Sequence, residues 1–379
     1  MTARSKRRVL FAGGGTGGHL YPAIALANAM QELHPDTKVH FVGAQRGVEA
    51  RVLPAENRPH TLLPFEPLRR SRVWENWKLI PSFVRSAAGL SRLFREFEPG
   101  LVVGTGGYAS APAAAWALLH GVPVALQEQN SWPGLTTRVM SRWARQVHLG
   151  FPEAARHLKP GRHTEVTSLG NPIRPPDPTL DRAECRRHFG LRDDAFVVLV
   201  VGGSQGARAL NEALTAALVK HGGAPAGAQI LWATGSNNHE RVSNALHTGL
   251  QRDPVDANVF AVPYITEMPK ALAAADVAVS RAGAMATAEL LAWGIPALLV
   301  PLPTAAADHQ THNARALAGA GAAVMLEEKD MTPDRLWSEL DRMMRDDAAR
   351  ARMAAVARER ARPDAARDIA RRLAELLEA

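Results

Sequence analysis

Two glycine-rich segments in this chain carry the residue types that hold phosphate. Gly13-Gly14-Gly15-Thr16-Gly17-Gly18 follows the apolar run 9–12, and Gly202-Gly203-Ser204-Gln205-Gly206 follows the apolar run 196–201. Each precedes an apolar pattern of helical period. A buried strand, a glycine turn and a helix start present unpaired N–H groups and a positive dipole end to an anion. His19, just past the first loop, has an unperturbed pKa near neutrality and is a candidate general base. The alternative is a neutral histidine that hydrogen-bonds loop backbone. In the second half, Ser280-Arg281-Ala282-Gly283-Ala284-Met285-Ala286-Thr287-Ala288-Glu289 follows the run 277–279. Its small residues let backbone approach a ligand closely. A carboxylate at Glu289 suits the two hydroxyls of a ribose; on the outer face of the helix it would be a solvated glutamate, the commoner fate.

Asp308-His309-Gln310-Thr311-His312-Asn313 is dense in His and Asp, but its spacing matches no zinc pattern. No D-x-D triplet occurs, which removes the commonest way of holding a divalent cation on a nucleotide diphosphate. Neither metal nor cofactor is expected. Gly13, Gly15 and Gly18 satisfy G-x-G-x-x-G, yet a dinucleotide site also wants an acidic residue ending the second strand. Here that run ends Phe41-Val42-Gly43-Ala44-Gln45-Arg46, with no carboxylate before Glu49. Pro22 is tolerated only in the first turn of the helix that follows the loop. These features argue against a nicotinamide dehydrogenase.

Apolar, β-branched runs alternate with helical patterns, and these elements must position the loops. The runs are 8–13, 38–43, 101–104, 122–127 and 146–150, then 196–201, 229–234, 258–262, 277–280, 297–300 and 322–326. Between the two sets lies Asn171-Pro172-Ile173-Arg174-Pro175-Pro176-Asp177-Pro178, through which neither helix nor central strand continues. The pattern predicts an α/β protein of two doubly wound domains facing a cleft: 1–172, and 173–362. A terminal helix over 363–379 carries the stripe Ile369, Leu373, Leu376 and Leu377, and it is expected to cross back onto the first domain. In the first half, glycine or polar residues end several strands, among them Gly104-Thr105-Gly106-Gly107-Tyr108 and Glu128-Gln129-Asn130. Carboxyl ends of parallel strands are where such sheets bind ligands.

The 379 residues are ample for two cores, and 46% hydrophobic with 22% charged residues is ordinary for a folded protein. A single cysteine, Cys185, excludes an internal disulfide framework and fits a reducing cytosol. The basic start, residues 1–8, leads into an apolar run too short for a signal peptide. No stretch approaches the roughly 20 apolar residues that span a bilayer. The expected location is the cytosol or the cytosolic face of a membrane. A net charge of +8 favours anionic partners or reflects an arginine-rich solvated surface.

Taken together, the motifs resemble the MurG family of N-acetylglucosaminyltransferases. They are Gly14-Gly15-Thr16-Gly17-Gly18-His19 with Pro22, Gly104-Thr105-Gly106-Gly107-Tyr108 and Glu128-Gln129-Asn130. In the second half they are Gly202-Gly203-Ser204-Gln205-Gly206-Ala207-Arg208, Arg281-Ala282-Gly283-Ala284 with Glu289, and Asp308-His309-Gln310 with Asn313. The resemblance runs from about residue 8 to 325 in uniform order. It implies a GT-B fold of two Rossmann-like domains and inverting, metal-independent transfer of GlcNAc from UDP-GlcNAc. The acceptor it implies is lipid I, undecaprenyl-pyrophosphoryl-MurNAc-pentapeptide, which becomes lipid II for cell-wall synthesis, cell shape and division. By the same resemblance Ile265 contacts uracil, Glu289 the ribose, Ser204 and Arg174 the diphosphate, and Gln310 the sugar. Ala284, Met285, Ala286, Thr287 and Ala288 line the donor, and Thr16, Gly17, Gly18 and Asn130 reach it from the first domain. Gly14, Gly15, Gly104, Gly106, Gly107, Tyr108 and Glu128 face the acceptor. The stretch 303–307 before Asp308 lacks the larger polar residues of some members. Alternatives are another GT-B lipid glycosyltransferase, a UDP-GlcNAc 2-epimerase-like enzyme, or a UDP-sugar sensor without catalysis.

Between Arg69 and Arg95 lie seven basic residues and one acid, Glu75, interleaved with Trp74, Trp77, Leu79, Ile80, Phe83 and Val84. Phe83, Ala87, Leu90, Phe94 and Phe97 follow helical spacing and are expected in the core, which leaves Trp74, Trp77, Leu79, Ile80 and Val84 exposed. Cations and tryptophans together suit an anionic membrane surface. Nucleic acid is the alternative, but no nucleic-acid motif accompanies the segment. A peripheral protein of the bacterial inner membrane follows from the resemblance, with other cell-wall and division proteins as partners.

Overall fold

A computed structural model describes residues 7–67, 74, 77, 79–203 and 207–378. The chain divides into two compact units, residues 1–174 with 362–379 and residues 175–361. The first is built on β1 (Arg8–Gly13), β2 (Lys38–Ala44), β3 (His60–Leu63), β4 (Leu101–Gly106), β5 (Val124–Glu128), β6 (Gln146–Leu149) and β7 (Glu165–Thr167). They form one parallel sheet in the order β3-β2-β1-β4-β5-β6-β7. The second unit holds β8 (Phe196–Val201), β9 (Ala228–Ala233), β10 (Val259–Val262), β11 (Val277–Ser280), β12 (Ala297–Leu299) and β13 (Val324–Met325). Their order is β10-β9-β8-β11-β12-β13, again parallel.

Both sheets are doubly wound, and their composition explains it. In β1, Leu10 and Ala12 enter the core on one face with Val42 and Val102, while Val9 and Phe11 enter the other with Phe41 and Leu101. A parallel strand covered on both faces reads as a continuous apolar run, as these do. The order of strands reverses between β1 and β4, and again between β8 and β11. Those are the switch points where doubly wound sheets leave a crevice beyond the strand ends. Two strands, β3 and β7, were absent from the sequence pattern. They are short, half-polar edge strands, and His60, Thr61, Glu165 and Thr167 break any apolar run.

The helix Ala365–Glu378 lies against the helix Gly17–Leu33. Ile369, Ala370, Leu373 and Leu377 share a core with Leu20, Ile24, Ala27 and Met30. Leu373 has no exposed surface, so Leu373→Ala is expected to destabilise the first unit by about 2–5 kcal/mol. Urea unfolding followed by fluorescence checks this; an unchanged midpoint would show that the helix contributes nothing to the unit.

The basic segment departs from expectation at two residues. Phe83 is exposed at 48%, although its spacing suggested the core, and Leu79 is buried at 3%, although it was expected outside. The helix Ile80–Phe97 turns Ser82, Ser86, Leu90 and Leu93 inward. Small serines on that stripe let the helix sit close, and Phe83, one position round, is left in solvent. Trp74, Trp77, Ile80 and Val84 are exposed as anticipated. Arg69, Arg70, Arg72, Glu75 and Lys78 lie outside the described residues.

Candidate active site

In the first unit, three neighbouring strand ends bring the candidate residues together. After β1 the chain passes through Gly14 and Gly15 to Thr16, which caps the helix Gly17–Leu33. That helix has neither an acidic residue in its first turn nor a side-chain cap. Its first N–H groups and dipole end therefore face outward uncompensated, the condition for binding an anion. His19 Nδ1 lies 3.1 Å from Thr16 Oγ1. The His19 carbonyl accepts a 2.8 Å hydrogen bond from the Thr105 hydroxyl at the end of β4.

Gly106 and Gly107 follow, and the backbone of this second loop closes on the first. At Gly107, φ is +76°, and a Cβ there would fall 2.2 Å from the Gly14 carbonyl oxygen. Only glycine fits. The His19 ring rests against the same two residues, so the imidazole is held between loops rather than free in solvent. Tyr108 packs its ring on Gly15. Burial, and next the Glu49 charge, push its phenol up, which keeps it a neutral hydrogen-bond donor.

After β5, Glu128 is buried and accepts from the Asn130 N–H at 3.1 Å and the Gly134 N–H at 2.9 Å. Its carboxylate shapes the loop that carries Asn130. Gln129 donates to the Thr105 carbonyl at 2.8 Å, and Asn171 donates to the Gln129 carbonyl at 3.0 Å. A buried polar chain thus runs from the His19 carbonyl through Thr105 and Gln129 to Asn171, three residues before Arg174. Arg174 itself is exposed.

The second unit gathers its candidates at the ends of β11 and β12. Gly283 caps the helix Ala284–Trp293, again without a side-chain cap or an acid in the first turn. Thr287 turns its hydroxyl back to the Gly283 carbonyl at 3.1 Å. Glu289 stands in the second turn. Burial raises its carboxyl from the ordinary range to about 7. Burial is the cause, and among the described residues no cation or donor shifts this carboxyl back.

Arg281 braces the loops around it. Its guanidinium donates to the carbonyls of Val300 and Pro301 at 3.2 Å each, and pairs with Glu328 at 2.5 Å beyond β13. Asn313 donates to the Ala282 carbonyl at 3.1 Å. Gln310 accepts the Leu302 N–H at 3.0 Å, which leaves its amide NH₂ as the group that can donate to a ligand. Ala307 and Asp308, just before, hold left-handed backbone at φ +53° and +54°. Ile265 is buried after β10, three places from β11 in the sheet. Ser204 lies outside the described residues, as do Gln205 and Gly206; Gly203 before them is exposed, with φ of +88°.

Among the described residues, no three His, Cys, Asp or Glu side chains converge on a metal position. Sequence reasoning passed over Glu49, Asn171 and Glu328. Glu49 was noticed only as too distant for a dinucleotide acid, and no local pattern signals the others.

Comparison with known proteins fits this geometry. Residues 9–149 match the glycosyltransferase family 28 N-terminal domain, and residues 197–369 its C-terminal domain. A protein of Moorella thermoacetica named UDP-N-acetylglucosamine–N-acetylmuramyl-(pentapeptide) pyrophosphoryl-undecaprenol N-acetylglucosamine transferase is 40% identical, over 94% of this chain and 96% of its own length. A protein of the same name from Chlorobaculum parvum is 40% identical, over 97% and 99%. The crystal structure of Acinetobacter baumannii MurG superposes with a TM-score of 0.75 at 30% identity, over 97% of this chain and 99% of that one. UDP-GlcNAc 2-epimerase from Neisseria meningitidis reaches 0.65 at 13% identity, over 97% and 99%, a likeness of fold alone. The chain is therefore a glycosyltransferase of GT-B fold and belongs to the MurG family within glycosyltransferase family 28.

Proposed function

We propose that this chain transfers GlcNAc from UDP-GlcNAc to the C4 hydroxyl of MurNAc in lipid I, with inversion, giving lipid II. The observation that carries the reading is 40% identity over nearly the whole chain to proteins named for that transfer. The second unit takes the donor. Glu289 accepts the ribose hydroxyls, Ile265 meets uracil, the Gln310 amide reaches the sugar and Ser204 meets the diphosphate; Arg174 meets the diphosphate too but belongs to the first unit. The first unit takes the acceptor pyrophosphate at Gly14–Gly18 and Gly104–Tyr108, with Glu128 beside it, and Asn130 contacts the donor.

The C4 oxygen bonds to the anomeric carbon as the bond from that carbon to UDP breaks. The C4 proton passes to His19, and UDP leaves as an anion. Developing charge on UDP is stabilised by the start of the helix Arg208–His221, where fixed dipoles act without reorganisation. Incubation of labelled UDP-GlcNAc with a lipid I analogue tests the whole: a labelled disaccharide lipid is expected. Free UDP alone, or an epimerised sugar, would replace transfer by hydrolysis or epimerisation.

The acceptor's lipid places the enzyme at the cytoplasmic face of the inner membrane. Among the described residues no helix is long and apolar enough to cross a membrane. Trp74, Trp77, Ile80, Phe83 and Val84 are each about half exposed or more, on a segment rich in arginine. Such a surface gains from apolar burial and from attraction to anionic lipid, screened over about 8 Å at physiological salt. Sedimentation with anionic vesicles should show binding that high salt weakens, as does the triple change Trp74→Ser, Trp77→Ser, Ile80→Ser. Equal binding to neutral vesicles, or no effect in a folded triple variant, would assign the surface to another partner.

A further inference from the structure

Beneath the first glycine loop lies a carboxylate that the proposed reaction does not use. Glu49 has no exposed surface. One oxygen accepts the Gly15 N–H at 2.8 Å, and the other accepts the Ala44 N–H at the end of β2, also at 2.8 Å. The chain has made room for it with glycines. A Cβ would fall 2.2 Å from the carboxylate at Gly14 and 2.1 Å at Gly47. Burying a carboxylate costs several kcal/mol unless donors meet it, and here both donors are backbone N–H groups. An amide could not replace it: its NH₂ would face one of the two donors.

The consequence for the loop is specific. Gly15 spends its N–H on Glu49, so it cannot serve a bound phosphate. An incoming anion is left with the N–H groups at the start of the helix Gly17–Leu33. The loop is already drawn onto a negative charge, as it would be by a ligand, and Tyr108 packs against the residue so held.

We propose that Glu49 is a positioning residue for the acceptor half of the reaction, an internal anion that sets the loop Gly14–Gly18 before the acceptor arrives. This rests on the assignment of the acceptor to the first unit. Because the ordering is done in advance, acceptor binding does not bear its cost.

The test is steady-state kinetics in both substrates for Glu49→Gln and Gly47→Ala, with UDP affinity measured by calorimetry. The first removes the charge; the second keeps it and crowds the carboxylate, so it serves where the first does not fold. Loss of one charge-assisted bond predicts a fall of about 10- to 100-fold in kcat/KM for the acceptor, carried largely by its KM, in both variants. Donor KM and UDP affinity should stay within about twofold. A lower kcat with both KM values unchanged would mean only fewer folded molecules and would overturn the proposal. So would tighter acceptor binding in Glu49→Gln, which would make the charge repulsive rather than organising. Wild-type protein that forms no disaccharide lipid would overturn the transferase reading itself; wild-type activity with unaltered variants would overturn this inference alone.

Discussion

Replacing His19 by alanine is expected to lower turnover by about 10²- to 10⁴-fold, the usual contribution of a general base, with UDP affinity nearly unchanged. The size follows from how the ring is held. Nδ1 lies 3.1 Å from the Thr16 hydroxyl, and the ring edge rests against Gly106 and Gly107. A base acting through Nε2 needs the proton on Nδ1, so Nδ1–H must donate to Thr16 Oγ1; the opposite tautomer would leave no lone pair for the substrate proton. Thr16→Val, which removes that acceptor, should therefore also slow turnover, by less than His19→Ala. Rapid-quench measurement of a single turnover isolates the chemical step. Turnover within a few-fold of wild type in His19→Ala would make this residue a strut between two loops.

The alternation of strands and helices was legible because buried parallel strands read as unbroken apolar runs: Phe196–Val201 is found with its expected bounds, and Val277–Ser280 likewise. The edge strands of the first sheet were not legible: β7, for one, offers only Val166 to a core. In the helix Ile80–Phe97, two phases of apolar residues compete. The winning phase uses Ser82 and Ser86, which no hydrophobic pattern selects. At the active site, glycines and strand-end polar residues announced themselves by their place after apolar runs. Glu49 did not. Its role depends on β2 lying beside β1, so that Ala44 and Gly15 present their N–H groups to one carboxylate. That adjacency belongs to sheet order, which local spacing does not encode. The Thr105–Gln129–Asn171 chain was hidden for the same reason, since it spans β4, β5 and the segment after β7.

Glu289→Ala should weaken UDP binding by about 10²-fold or more, because two charge-assisted bonds to the ribose, each contributing roughly 1.5–3 kcal/mol, are lost together. Its half-buried position adds a pH signature that separates this role from a structural one. The carboxyl is raised from 4.5 to about 7 by burial. Only the ionised form accepts both hydroxyls, so wild-type affinity should fall as pH drops below about 7, by up to tenfold per unit. The phosphate of UDP titrates near 6 and contributes its own slope. Glu289→Gln retains that slope and loses the other, so the difference between the two proteins reports Glu289 alone.

Stability should run the opposite way in the free protein. The native state holds this proton more tightly than the unfolded chain, so between about pH 4.5 and 7 wild-type stability declines as pH rises. Glu289→Gln escapes the decline. The variant should equal wild type near pH 4 and exceed it above pH 7 by up to about 3 kcal/mol, at about 1.36 kcal/mol per pKa unit. Saturating UDP should narrow that gap in wild type's favour, since the ribose supplies the donors the buried carboxylate lacks. Calorimetry across pH 5–8 measures the binding side, and thermal melts with and without UDP the stability side. Identical pH slopes for UDP affinity in the two proteins would remove Glu289 from the ribose and return it to the scaffold of the second unit.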